Sequence, residues 1–115
     1  MKLEITKLVG PHCITQDDGQ IVFDKLSPPL HKGEPVQLDF TGTKAFASPF
    51  FNFAIGQLMR DLTPEKLNEL VTVRGLVPDG MIVWRRVVRN ARKYYTDSNR
   101  KKAVDDAMNR LSEQQ

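Results

Sequence analysis

Two histidines, one cysteine, two adjacent aspartate pairs and a serine ahead of a proline are where this sequence could do chemistry. His12 and Cys13 are neighbours, and a thiolate beside an imidazole is a familiar nucleophile. Successive residues of a strand point to opposite faces, however, so Cys13 is expected to be a small core residue rather than a partner of His12. His31 stands apart. Structural zinc needs four ligands and catalytic zinc usually three, so neither a metal site nor a cofactor is expected. Asp17-Asp18 and Asp105-Asp106 fall at or near helices, where capping and solvation account for them. The sequence lacks Gly-x-Ser-x-Gly, a phosphate-cradling glycine loop and Gly-x-Gly-x-x-Gly. With no nucleophile–base constellation, a non-enzymatic protein is expected.

The remaining candidate lies in VQLDFTGTKAFASPFFNFAIGQL, Val36 to Leu58. Val36, Leu38 and Phe40 alternate as in a strand. The 41–47 segment reads as a loop. Ser48-Pro49 then opens a helix, with Ser48 as N-cap and proline preorganised for the first turn. Phe50, Phe51, Ala54, Ile55, Leu58, Met59 and Leu62 fill one side of that helix at 3.6-residue spacing. Phe53 falls on the other side with Asn52, Gly56, Gln57 and Arg60. An aromatic among polar residues suggests a contact surface. Thr43 and Lys44 of the loop, with Asn52, Phe53, Gly56 and Arg60, are therefore the expected partner-binding residues, with Phe53 as anchor.

A second surface comes from a long helix expected from Pro78 or Asp79 to about Tyr95. Met81, Trp84, Val87, Val88, Ala91 and Tyr95 form its apolar stripe. Arg85, Arg89, Arg92 and Lys93 form a basic face, with Arg86 at its margin. Between positions 74 and 102 nine Lys/Arg stand against Asp79 and Asp97, a local charge of +7 in a chain of net +3. Phosphate backbones attract such a face, so nucleic-acid binding is the alternative function. Trp84 and Tyr95 belong to the buried stripe, which leaves base stacking without a platform.

The elements that position these residues alternate. Lys2–Val9 reads as a strand, with Leu3 and Ile5 on one face. A short helix is expected over 18–26, capped near Asp17-Asp18 and ended ahead of Pro28-Pro29. Thr63 caps a helix over 64–69, and Leu70-Val71-Thr72-Val73 is a β-branched strand. Asp97-Ser98 is expected to cap a separate final helix over 99–112. The class is α/β (α+β), a small mixed sheet with helices mainly on one face. One domain over 1–97 is expected, with 98–115 an amphipathic helix on the same domain or facing a partner. At 115 residues, 40% hydrophobic and 27% charged, the chain can bury one core. One cysteine excludes an internal disulfide and suits a cytoplasmic location. The N-terminal residues do not read as a signal peptide, and no membrane span is expected.

Together the Val36–Leu58 stretch, VTVRGL and VVRNARKYY resemble a STAS-like family of small bacterial proteins of uncharacterised function, over about Val36 to Tyr95. That family is similar to STAS domains, the anti-sigma-factor antagonists. The resemblance implies a regulatory protein as partner, of the histidine-kinase-type ATPase kind. In the antagonists a serine at the corresponding helix start is phosphorylated, which breaks the complex. They show Asp-Ser-Ser-Gly or Asp-Ser-Thr-Gly where this chain has Ala47-Ser48-Pro49-Phe50. Ser48 alone carries over as a phosphoacceptor.

Overall fold

The computed structural model describes the backbone of residues 1–113 and the side chains of residues 1–97. Strand β1 (Lys2–Glu4) leads directly into helix α1 (Ile5–Val9). The expected longer strand fails because Ile5, Leu8 and Val9 also satisfy i, i+3, i+4 spacing. Gly10, at φ 83°, ends the turn by donating its N–H to the Thr6 carbonyl at 2.9 Å. Strand β2 (His12–Cys13) follows, then α2 (Gln16–His31).

Helix α2 is longer than the expected 18–26. Its cap is Thr15, whose hydroxyl accepts from the Asp18 N–H at 3.1 Å, and Asp17 and Asp18 occupy the first turn. Pro28 and Pro29 lie inside the helix, where they remove two N–H donors. Burial of Leu26, Pro29 and Leu30 holds the last turn in place. Glu34 N–H closes back on the Pro29 carbonyl at 2.9 Å, past Gly33 at φ 77°.

Strands β3 (Val36–Asp39), β4 (Ala45–Phe46) and β5 (Val71–Arg74) are joined through α3 (Ser48–Ala54), a 3-10 turn (Gly56–Arg60) and α4 (Pro64–Leu70). The three-stranded sheet runs β1-β3-β5, and β2 pairs with β4 in a second, two-stranded sheet. All of these pairings are parallel, where a mixed sheet was expected. Parallel neighbours need crossovers, and the helices supply them.

Register explains the one-sided layering. Leu3, Leu38 and Val73 align across the sheet, as do Val36 and Val71 on the same side. Lys2, Gln37 and Thr72 align on the opposite side with Glu4, Asp39 and Arg74. That polar face carries the Lys2–Asp39 ion pair at 3.4 Å. The apolar side meets the helices around Phe51. This ring lies 6.1 Å from Phe40, 6.2 Å from Phe46, 5.4 Å from Phe50 and 6.2 Å from Trp84. One aromatic cluster thus ties β3 and α3 to the last helix. Cys13 joins the same buried core, while His12 is exposed, as strand alternation requires.

Helix α5 runs without a break from Pro78 to Glu113. The expected cap at Asp97-Ser98 does not form, since neither glycine nor proline stands there to stop the helix. Ala103, Val104, Ala107, Met108 and Leu111, which at helical spacing would form the apolar side of the expected amphipathic helix, lie outside the described side chains, as does the Asp105-Asp106 pair.

Candidate interaction surface

Helix α5 seats on the rest of the fold through Trp84, Val87 and Val88, all buried. Val87 and Ala91 close over Gly56, each 3.5 Å from where a Cβ on that glycine would lie. Gly56 was expected on the exposed side of its helix. It is buried instead, and its missing side chain lets α5 approach.

The helix after Ser48 is also shorter than expected. It gives way after Ala54 to the 3-10 turn, so the residues to Leu62 do not continue one α-helical face. Its N-cap is Ala47, not Ser48, and no side chain caps it. Ser48 therefore occupies the first helical position, exposed and with its hydroxyl uncommitted to the helix end. Pro49 fits because the first-turn N–H groups have no helical partner to lose.

Two concavities flank α5. One, of about 430 Å³, lies between α5 and the α3 side and is lined by Asn52, Phe53, Gly56, Asn90, Tyr94 and Tyr95, among others. Phe53 is half-buried along its wall and Asn52 exposed at its rim. Gln57 locks this wall: its amide donates to the Gln20 side-chain carbonyl and to the Phe53 backbone carbonyl, both at 2.8 Å. Gly19 of α2 backs Phe53 closely. A Cβ there would strike the Phe50 carbonyl and lie 2.9 Å from the Phe53 Cβ. The site is thus an α3 wall, braced by Gln57 and Gly19, facing an aromatic rim on α5. Tyr94, 66% exposed, packs edge-on to Tyr95 with centroids 5.2 Å apart.

The second concavity, of about 350 Å³, lies between α4 and α5. Pro64 and Asn68 face Trp84, Val88, Arg85, Arg89 and Arg92 across it. Helix α4 is held by Thr63, whose hydroxyl accepts from the Lys66 N–H at 3.1 Å, as its sequence predicts. Arg85 and Arg89 are exposed. Arg92 is not a free surface cation: it is half-buried and donates from Nη1 to the Met59 carbonyl at 3.1 Å and the Leu62 carbonyl at 3.4 Å. It satisfies the end of the 3-10 turn. Lys93 lies one turn beyond Arg89, outside this cleft, where it borders a hollow with Asn90, Tyr94 and Asp97. Of the expected basic face, Arg92 is thus drawn into packing, while Arg85, Arg89 and Lys93 stay exposed.

Other expected contacts scatter. Thr43 is half-buried and donates its hydroxyl to the Phe40 carbonyl at 2.7 Å. Lys44 is exposed, with its backbone N–H on the Pro11 carbonyl at 2.7 Å. The loop around it includes β4, so 41–47 is partly a strand. Arg60 is exposed and pairs with Asp61 at 3.5 Å, outside both concavities.

Residues 18–81 match the STAS-like domain of unknown function (DUF4325). The chain belongs to this family. No curated protein and no solved structure matches it. The STAS-like match spans α2 to the start of α5, and so includes Ser48 and the α3 wall but not Tyr94.

Within the STAS-like domain one polar cluster has the composition of a hydrolytic triad. His31 Nε2 lies 3.2 Å from Asp61 Oδ2, and Nδ1 lies 3.1 Å from Ser27 Oγ. Nδ1 is closer still to the Ser27 carbonyl, at 2.8 Å. A carbonyl only accepts, so Nδ1 carries the proton and cannot serve as base to Oγ. The Ser27 carbonyl and then Asp61 raise the His31 pKa. The cluster ties the end of α2 to the residue after the 3-10 turn. Cys13 is held as a thiol, its pKa pushed up to about 11 chiefly by burial. Among the described residues no three His, Cys, Asp or Glu side chains converge as metal ligands, and no helix is long and apolar enough to cross a membrane.

Sequence reading missed Tyr94, Asn90 and Asn68. Tyr94-Tyr95 is a helical pair in which one ring must turn from the core, a signal present in the sequence. Asn68 gave none, since its role depends on how α4 docks.

Proposed function

We propose that this chain is a non-enzymatic regulatory module that binds a partner protein in the groove between α3 and α5. One observation carries this reading: Phe53 and Tyr94 face a groove bordered by Asn52 and Asn90, and no Asp, Glu, Lys, Arg or His lines it. Aromatic side chains with neutral hydrogen-bonding neighbours are what the cores of protein interfaces are made of. The wall behind Phe53 is fixed by Gln57 and Gly19, so little ordering is needed on binding. Family membership supports a regulatory role, and the kinship with antagonist domains suggests a histidine-kinase-type ATPase as partner.

Ser48 lies one helical turn before Asn52, on the same face of α3. Phosphorylation there would put about −1.5 to −2 charges at the groove's edge. That would repel an acidic partner surface and hinder docking of an apolar one. Incubation with the partner kinase and ATP should add one phosphate to the wild type and none to Ser48→Ala; an unmodified mass in both removes the switch.

The binding test is a pull-down in parallel with wild type, Phe53→Ser and Tyr94→Ala. The expected result is one partner retained by the wild type and lost from both variants, with unchanged circular dichroism. Retention by both variants overturns the groove. Unfolding of Phe53→Ser would leave the decision to Tyr94→Ala, whose side chain is mostly solvated.

A further inference from the structure

The α4–α5 cleft is chemically unlike the α3 groove, and nothing in the proposed function uses it. Arg85 and Arg89 are four residues apart on α5, about 6 Å along its axis. Like charges at that spacing repel each other on a helix. Among the described residues no carboxylate lies within ion-pair distance of Arg85, Arg86 or Arg89, as is also true of Lys25, Lys32, Lys44 and Arg74. Their spacing sets the arginines apart: water and salt screen the repulsion, and carboxylates of a ligand would relieve it.

The floor of the cleft is apolar. Trp84, only 5% exposed, and Val88 supply it, with Pro64 on the facing helix. A second hollow continues along α5, where Ile82, 53% exposed, lies among Arg85, Arg86 and Arg89. Guanidinium groups beside exposed apolar surface are characteristic of protein interfaces. A nucleic-acid backbone needs cations but no apolar floor. It would also use Lys93, one turn beyond Arg89 on α5 and outside the lining of the cleft.

We propose that this cleft is a second docking site, for an acidic amphipathic helix of a partner protein. Two carboxylates of that helix, one turn apart, pair with Arg85 and Arg89, and an apolar side chain between them covers Trp84. The i, i+4 arginines match the i, i+4 carboxylates of such a helix, and each guanidinium can hold a carboxylate through two parallel hydrogen bonds.

Trp84 is the single tryptophan, so its emission reports occupancy directly. The experiment selects a phage-displayed random dodecapeptide library on the full chain. Enriched peptides are then titrated against wild type, Arg85→Ala/Arg89→Ala and Lys93→Ala. Enrichment of two acidic residues three or four apart around an apolar one is expected, with a change in Trp84 emission. Affinity should fall about tenfold or more in the double variant, as for loss of paired charges, and stay unchanged in Lys93→Ala. Enrichment without acidic residues, or equal binding to the double variant, overturns the site. A short DNA duplex that binds more tightly than any selected peptide, and weakens as much in Lys93→Ala as in the double variant, also overturns it and assigns the charge to nucleic acid. Arg85 and Arg89 are exposed, so the double variant keeps its fold, which circular dichroism verifies.

Discussion

The two shoulders of α5 carry opposite chemistry on one helix. At 100° per residue, Trp84, Val88 and Ala91 point into the fold, and their neighbours rise on either side of that stripe. Asn90 and Tyr94 rise towards α3; Arg85, Arg89 and Arg92 rise towards α4. One shoulder is aromatic and neutral, the other guanidinium-rich over an apolar floor. A single packed helix can thus present two independent surfaces, because docking its stripe fixes both flanks together.

The strongest perturbation removes what fixes them. Phe51 is fully buried and touches Phe40, Phe46, Phe50 and Trp84. Phe51→Ala should cost about 3–5 kcal/mol, as truncation of a core aromatic does. Urea unfolding should show the loss, and both surfaces should fail together. If only one shoulder were affected, α5 would not be the common support.

Next come the arginines, which look alike in sequence but not in structure. Arg92→Ala leaves the Met59 and Leu62 carbonyls without their donor and should cost about 1–2 kcal/mol, near the lower end for a charged hydrogen bond. Arg89→Ala, at an exposed position, should stay within about 0.5 kcal/mol. Equal effects in urea unfolding would show that the basic residues are one solvated face after all.

The smallest effect is a pH dependence at the edge of the fold. The Ser27 carbonyl and Asp61 raise the His31 pKa, so the folded state holds this proton more tightly than the unfolded chain. The contribution is full below the unfolded value of about 6.5 and is lost as pH rises through the folded value. The urea midpoint of the wild type should therefore fall slightly across that window, and His31→Ala should lose that component. An identical profile in both proteins would mean the His31 contacts carry no linkage.

What the sequence made legible was local. Thr63-Pro64 announced α4, alternation gave β3 and β-branched residues gave β5, because caps, pleats and propensities are decided within a few residues. The family resemblance, read from Val36 onward, led to the same class of fold. Where tertiary burial outweighed a local signal, the reading slipped. Pro28-Pro29 did not end α2, since Leu26 and Leu30 are buried beneath it. Ile5 fits strand and helix alike, and Gly10 decided for the helix. Ser48 reads as a cap by type, yet Ala47 takes that place. The candidate surface was half legible. Phe53 stood out against its polar neighbours, but its partner Tyr94 lies 41 positions later, and Gly56 turned from contact residue to floor. Arg92 could not be separated from Arg89 without knowing which carbonyls it would meet.

The groove itself is best tested by placing a photoreactive phenylalanine analogue at position 53, at position 94, or at position 72 on the polar face of the sheet. Irradiation in cells should give one protein adduct shared by positions 53 and 94 and absent from position 72. Adducts from position 72 alone, or different proteins at 53 and 94, would contradict a single partner seated between α3 and α5.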